Sequence, residues 1–208
     1  MYVLGLFIAA FGVAFAINAM LGLTPMNSFP YVLSYLTGVY MGIMVTSLLL
    51  LYIVIQIILL RKDFQWIQVT QIICSFMFGY FVDFTIFLLG DFRIPTYFGQ
   101  LALLAISTVC VSMGITLFMS AKLVPLPSEG LVAAISQKLP KAKFHRVMIV
   151  VQVSVVSMGA LLSFLILGRI VGVREGTFIS AVLVGKLIPF NRKIISPMLK
   201  KMGIASIE

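Results

Sequence analysis

Gly12–Ser34 reads GVAFAINAMLGLTPMNSFPYVLS, and Gly114–Ser136 reads GITLFMSAKLVPLPSEGLVAAIS; the two align without a gap. The shift of 102 positions that carries Pro25 onto Pro127 also superimposes Gly12 on Gly114, Ala19 on Ala121 and Ser34 on Ser136. It sets Asn18 over Ser120 and Asn27 over Glu129. Small residues and prolines that recur between apolar segments mark a duplicated unit, and duplicated units in membranes often enclose a site at their interface. Farther along, Gly79-Tyr80-Phe81-Val82-Asp83-Phe84 matches Gly185-Lys186-Leu187-Ile188-Pro189-Phe190 at a shift of 106, with Gln71 over Thr177. A few extra residues in the second span of the second copy account for the changed shift. Chance likeness between apolar segments is the competing explanation, and the gapless proline and glycine matches argue against it.

The 208 residues are 62% hydrophobic and 10% charged, with mean hydropathy +1.17. A soluble domain of this size buries only about 60–70% of its surface, so lipid must be the solvent for most of the chain. Six segments are long enough to cross a bilayer, given about 17–25 residues per span. They are Tyr2–Leu21, Val39–Leu60, Gln65–Leu89, Tyr97–Ala121, Val147–Leu167 and Thr177–Phe190, the last short and amphipathic at its end, with a boundary that can extend through Ile194 and Ile195 past Arg192-Lys193. The N-terminal run superficially resembles a signal peptide but lacks a basic leader, and its pattern recurs at Gly114; it is expected to be a retained first span.

Three spans per copy is an odd number, so the second copy must enter the membrane upside down relative to the first. The expected fold is therefore an all-α membrane protein: six transmembrane helices as two inverted three-helix repeats, each with a short proline-broken helix after its first span. The chain is one membrane domain, 1–208, with repeat 1 over about 1–90, repeat 2 over about 97–195 and a cytoplasmic tail at 196–208.

Basic residues set the direction. Eleven lie on one side (Arg61, Lys62, Lys122, Lys138, Lys141, Lys143, Arg146, Arg192, Lys193, Lys200 and Lys201) against Arg93, Arg169 and Arg174 on the other, with Lys186 inside a span. Positive loops stay cytoplasmic, which puts both termini inside the cell. The net charge of +9 is thus a topology signal with anionic headgroups as its partner, and it does not point to nucleic acid. Cys74 and Cys110 lie in apolar runs and are expected to be free, and His145 is the single histidine, so no metal cluster or cofactor is expected.

Each linker carries prolines that stop a helix and then Asn, Ser or Glu suited to start another: Gly22–Pro30 leads into Tyr31–Leu36, and Val124–Gly130 leads into Leu131–Leu139. Short helices dipping into the membrane would present their N-terminal N–H groups to the interior, with Asn27 and Glu129 as symmetry-related polar groups. The alternative is a pair of surface helices at the interface, since Leu131, Ile135 and Leu139 share one face. Within the spans, Asp83 and Lys186 carry charge at a cost of at least about 2.5–3.5 kcal/mol at the bilayer centre, so each is expected to face a cavity or a partner. Asp83 near the outer headgroups, Lys186 snorkelling to the cytoplasm and Glu129 capping a helix are the structural alternatives. Asn18, Thr24, Gln68, Gln71, Ser75, Gln152, Ser154 and Thr177 give an uncharged lining, with Gln68, Gln71 and Ser75 on one face of the third span. Gly38-x-x-x-Gly42 and Gly168-x-x-x-Gly172 permit close helix contact.

These linkers resemble those of the YczE/YitT-like bacterial multispanning membrane proteins, most closely the YczE branch. Members show a glycine, a small polar residue and a proline, followed shortly by an acid, after the first span. Here the stretch is Gly22-Leu23-Thr24-Pro25-Met26-Asn27, with Asn27 where the family often has Asp. Pro127-Ser128-Glu129-Gly130 and Gly176-Thr177-x-x-Ser180-Ala181-x-x-x-Gly185-Lys186 carry the likeness into the second half. The resemblance implies a bacterial inner-membrane protein with a transporter-like role and supplies no substrate. Asn27 in place of the acid halves the symmetric carboxylate pair, which argues against proton or cation coupling that uses both positions.

The expected function is a secondary transporter or permease of a small polar or charged solute, bound near the midplane by Asn18, Thr24, Asn27, Gln71, Asp83, Ser128, Glu129 and Lys186. Glu129 and Asp83 would serve a cation or proton, and Lys186 with the helix N-termini would hold an anionic group. A passive small-solute channel and an accessory membrane protein are the rival classes, and a homodimer is compatible with all three. No nucleophile–base pair or phosphate-binding loop suggests an enzyme, and no catalytic residue is assigned.

Overall fold

In a computed structural model the described residues are 1–61, 66–92, 94–121, 123–139 and 144–201. Lys62, Gln65, Arg93, Lys122, Pro140, Lys141 and Lys143, which figure in the span and charge expectations, lie outside them. Regular structure among the described residues is helical: α1 Tyr2–Ala19, α2 Pro25–Thr37, α3 Met41–Leu60, α4 Thr70–Leu89, α5 Tyr97–Ser120, α6 Pro127–Lys138, α7 Phe144–Leu167 and α8 Glu175–Lys201. A short 3-10 turn, Trp66–Val69, precedes α4. Five helices, α1, α3, α4, α5 and α7, are long and apolar enough to cross a membrane. The sixth expected span falls on α8, which is not among the five; it carries Glu175, Lys186, Arg192 and Lys193 and runs on past Phe190 to Lys201. Apolar side chains such as Phe87, Phe98 and Leu165 are largely exposed, as lipid-facing residues are.

The linker helices begin earlier than their prolines suggested. α2 starts at Pro25 and α6 at Pro127, the two positions that the shift of 102 superimposes. Proline at the first position of a helix loses only an N–H that has no intrahelical partner there, and its fixed φ suits the first turn. Pro30, expected to precede the helix, lies inside α2 and is fully buried. It deprives the Met26 carbonyl of a bond, and packing holds the turn it weakens: a Cβ at Gly159 of α7 would lie 3.3 Å from the Phe29 Cα. Gly38 ends α2 with a left-handed φ of +72°, and Gly168 ends α7 at +64°. These two therefore serve as chain reversals and not as close-contact positions, because nothing lies within 4 Å of a Cβ built on either.

The described chain divides into two compact units, each drawing on both halves of the sequence. Met1–Thr24, Phe81–Leu123 and Val173–Glu208 form one. In it α1 and α5 run antiparallel with their backbones in contact. A Cβ on Gly5 would lie 2.8 Å from the Gly114 carbonyl oxygen, and one on Gly12 would lie 2.8 Å from the Ser107 carbonyl oxygen. Small residues give such approaches in lipid, where burial of apolar surface does not drive association. Ser107 Oγ donates to the Gly12 carbonyl at 2.7 Å. Thr85 Oγ1 donates to the Ala10 carbonyl at 3.1 Å, and Asn191 Nδ2 donates to Ser112 Oγ at 2.9 Å. Such bonds are worth about 0.6 kcal/mol each in a membrane protein, so they fix register more than they add strength. At the end of α1, Met20 turns left-handed (φ 57°), and Arg174 donates to its carbonyl at 3.0 Å. The Gly176 N–H donates to the Leu21 carbonyl at 2.8 Å, which straps the segment after α1 to the start of α8.

Pro25–Tyr80 and Val124–Gly172 form the other unit. There α2 packs on α3 and α7, and α6 packs on α7 and α3. Gly79 meets the Gly42 carbonyl and the Thr46 hydroxyl, so Gly42 does serve a close helix approach. Ser163 Oγ donates to the Arg169 carbonyl at 2.8 Å and accepts from the Val171 N–H at 2.9 Å, closing the turn after α7.

Candidate binding site

The unit built on α2, α3, α6 and α7 holds every buried side-chain N or O atom, among the described residues, that lacks a hydrogen-bond partner. These are Tyr52 Oη, Gln56 Oε1, Gln68 Oε1, both amide atoms of Gln71, and Ser136 Oγ. An unsatisfied buried polar group costs about 1–3 kcal/mol, so a cluster of them needs a reason. They fall on α3, the 3-10 turn before α4 (Gln68), the start of α4 (Gln71) and α6, and none falls on α2 or α7.

Two of these residues converge on α6. Gln56 and Gln71 are both 0% exposed. Gln56 Nε2 donates to the Pro127 carbonyl at 3.0 Å, across 71 residues of sequence. A Cβ at Gly130 would lie 2.6 Å from Gln56 Oε1 and 2.8 Å from Gln71 Nε2, so both amides press on the first turn of α6 where only glycine leaves room. Tyr52 precedes Gln56 by four residues and so shares its face of α3. Gln56 also lies four residues before the end of α3 at Leu60, about 6 Å of helix rise, so the amides sit nearer the end of that helix than its middle.

Glu129 is the third position of α6, where a carboxylate reaches back over the helix start. It accepts from Ser128 Oγ at 3.1 Å and from the backbone at Leu126 and at its own N–H. α6 is not one of the five long apolar helices, and burial lifts this carboxyl from an ordinary 4.5 to about 7 against the opposing pull of those bonds. The capping role anticipated for Glu129 is thus the one its contacts describe.

The remaining candidates divide between the units. With Gln71, Ser128 and Glu129 lies Asn27, buried in the first turn of α2 beside Ser28, whose hydroxyl donates to the Pro25 carbonyl at 2.8 Å. The other unit contains Asn18, Thr24, Asp83 and Lys186. Asn18 Nδ2 donates to the Gly90 carbonyl at 3.0 Å, a bond that joins α1 to the end of α4. Thr24 and Asp83 are half-buried and have partners. Lys186 is exposed, and nothing lies within 4 Å of a Cβ on neighbouring Gly185, so this stretch of α8 faces outward. Of the uncharged lining, Ser75 and Thr177 are buried and partnered, and Ser154 is exposed and bonds its own helix.

Gln56 and Tyr52 escaped the sequence reading because they sit in an unbroken apolar run. The available signal was an amide one turn before a span end, and its partner at Pro127 is far away in sequence. Among the described residues no three His, Cys, Asp or Glu cluster as metal ligands, and Cys74 and Cys110 are free thiols. Oxygen from Glu129, Ser128 and the two amides is what the site offers.

The chain belongs to a family of unknown function (DUF6198), which matches it over residues 1–193. No curated protein and no solved structure matches it.

Proposed function

We propose that this DUF6198 protein is a secondary transporter or permease of a small polar solute, built from two inverted three-span halves, with its solute site where α3 and α4 of the first half meet α6 of the second. The observation that carries it is that contacts recur in pairs under the sequence shifts. Adding 102 to Gly5 and subtracting it from Gly114 gives Ser107 and Gly12, the other close approach of the same two helices. The bond from Thr85 to Ala10 becomes, at shifts of 106 and 102, the bond from Asn191 to Ser112. Exchanging α2 with α6 and α3 with α7 likewise returns the same packing pairs. An isologous contact of this kind is what a twofold operation generates, and inverted repeats are a common transporter construction. In this reading α8 is the sixth span, both termini are cytoplasmic, and Lys186 snorkels toward the headgroups. The YczE/YitT-like resemblance of the linkers and a bacterial inner-membrane location are consistent with it.

Reconstitution in liposomes tests the proposal. Uptake of its solute should saturate, and Gly130→Ala, which forces the two amides aside, should abolish it. Flux that rises linearly with concentration favours a passive channel. Absence of flux with intact fold favours an accessory membrane protein, a reading to which the complete burial of Gln56 and Gln71 also lends itself. Cysteine labelling from outside the cell removes the six-span topology if positive for one terminus alone, and reverses its orientation if positive for both.

A further inference from the structure

The amide pair at the start of α6 has a definite chemistry. Among the described residues Gln71 brings an unpartnered NH₂ and an unpartnered carbonyl oxygen, and Gln56 brings a second free carbonyl oxygen while its own NH₂ is held by the Pro127 carbonyl. Both side chains are fully buried and lie against Gly130, one turn into α6. Together they show a donor and acceptors within reach of one another, the complement of a molecule with the same mixture on one edge.

Charge narrows the class further. The described basic residues of this unit, Arg61, Lys138, His145, Arg146 and Arg169, are all exposed, so none stands beside the amides to balance an anion. The positive end of α6, which would otherwise attract one, already faces the Glu129 carboxyl and its bonds. Glu129 is also the only described acid in this unit, and Ser128 and the helix start occupy its oxygens, which leaves no pair of carboxylates for a cation. Among the described residues the amides thus have no free charge beside them, and such a buried site selects an uncharged partner, because a charged one would lose its hydration without compensation.

We infer that Gln56 and Gln71 form the recognition site for an uncharged solute bearing a primary carboxamide or urea group, which accepts from the Gln71 NH₂ and donates to the carbonyl oxygens of both glutamines. This inference rests on the transporter reading for its biological sense and gives that reading a substrate class. The site discriminates strongly because a ligand lacking the N–H leaves two buried carbonyls unpaired. The complete burial of both amides against Gly130 describes a closed site, so the assignment requires α6 to part from α3 and α4 for a solute to enter.

Binding to the purified full-length protein tests it independently of transport. Thermal unfolding is followed with acetamide, N,N-dimethylacetamide, acetate and methylammonium as probes. Acetamide is expected to raise the midpoint by about 3–6 °C at ten times its dissociation constant, and in proportion to the logarithm of its concentration above that. Acetate and methylammonium should not raise it, and dimethylacetamide, which has no N–H, should do so less than acetamide. Gln71→Met should remain folded and lose the acetamide response, while Ser47→Ala on the exposed side of α3 keeps it. An equal response to acetate or dimethylacetamide, an acetamide response surviving in Gln71→Met, or no difference between wild type and that variant at any acetamide concentration overturns the assignment. Acetamide binding without flux in liposomes retains this site and ends the transporter reading. Saturable flux of charged solutes with no acetamide response does the reverse.

Discussion

Replacing Gln71 by methionine should make the protein more stable. The side chain is 0% exposed, and both its amide oxygen and its amide nitrogen lack partners among the described residues. Each unsatisfied buried group costs about 1–3 kcal/mol, whereas an apolar group of similar shape in its place restores that loss. Methionine has nearly the length and flexibility of glutamine and fills the same space. The unfolded chain in detergent also finds partners for a glutamine, so the lower end of the range is the better guide. Two atoms then give a gain of about 2 kcal/mol, or about 4–8 °C in the unfolding midpoint of a chain this long. Gln56→Met provides the internal comparison. It relieves one orphaned oxygen but sacrifices the 3.0 Å bond to the Pro127 carbonyl, worth about 1 kcal/mol, so its midpoint should change little. Thermal unfolding of the two purified variants in the same detergent decides between accounts. A midpoint lower than wild type for Gln71→Met, with Gln71→Leu behaving alike, means the amide is satisfied in the fold, and the idea of a strained recognition site falls with it.

Other predictions follow from separate parts of the molecule. Glu129 titrates at about 7 in the fold against an ordinary 4.5, so the folded state binds more protons than the unfolded state between those values; stability should be greatest below 4.5 and fall as pH rises through 7. Glu129→Gln should flatten that dependence in unfolding midpoints measured from pH 5 to 8, with its advantage over wild type largest at the alkaline end. Gly12→Leu and Gly114→Leu should each disrupt the α1–α5 seam and abolish the monodisperse peak on size exclusion, because a Cβ alone already meets backbone at 2.8 Å or less. Gly185→Leu, placed in open space, should be silent in the same assay. Met20→Gly should raise the unfolding midpoint slightly, by the equivalent of about 0.5–1 kcal/mol, because Met20 holds a left-handed φ of 57° and is largely exposed.

Five of the expected spans were legible because hydrophobic length survives any packing detail: α1, α3, α4, α5 and α7 lie close to their anticipated bounds. The linkers were legible as helix-bearing but not in their starts. Pro30 and Pro127 read locally as helix stops, whereas position in the first turn and packing against Gly159 decide whether a proline stops anything. The charged residues drew attention that their surroundings do not repay in the same measure. Lys186 is exposed, and Glu129 caps its own helix. The uncharged Gln56 carries more of the candidate site than either. Nothing local marks it out, because what makes an amide matter is whether a partner 71 residues away satisfies it, and only the folded chain answers that.

The two related seams of the α1–α5 unit solve one geometric problem with different atoms. Thr85 addresses a carbonyl of the main chain, a feature every residue offers, so position 10 is free to drift in identity as long as it stays small. Asn191 addresses the hydroxyl of Ser112, and loss of either side chain strands the other. If the two halves are copies as proposed, the two seams respond differently to substitution: the Thr85 bond survives a change of side chain at position 10, and the Asn191 bond is lost when either of its members changes alone.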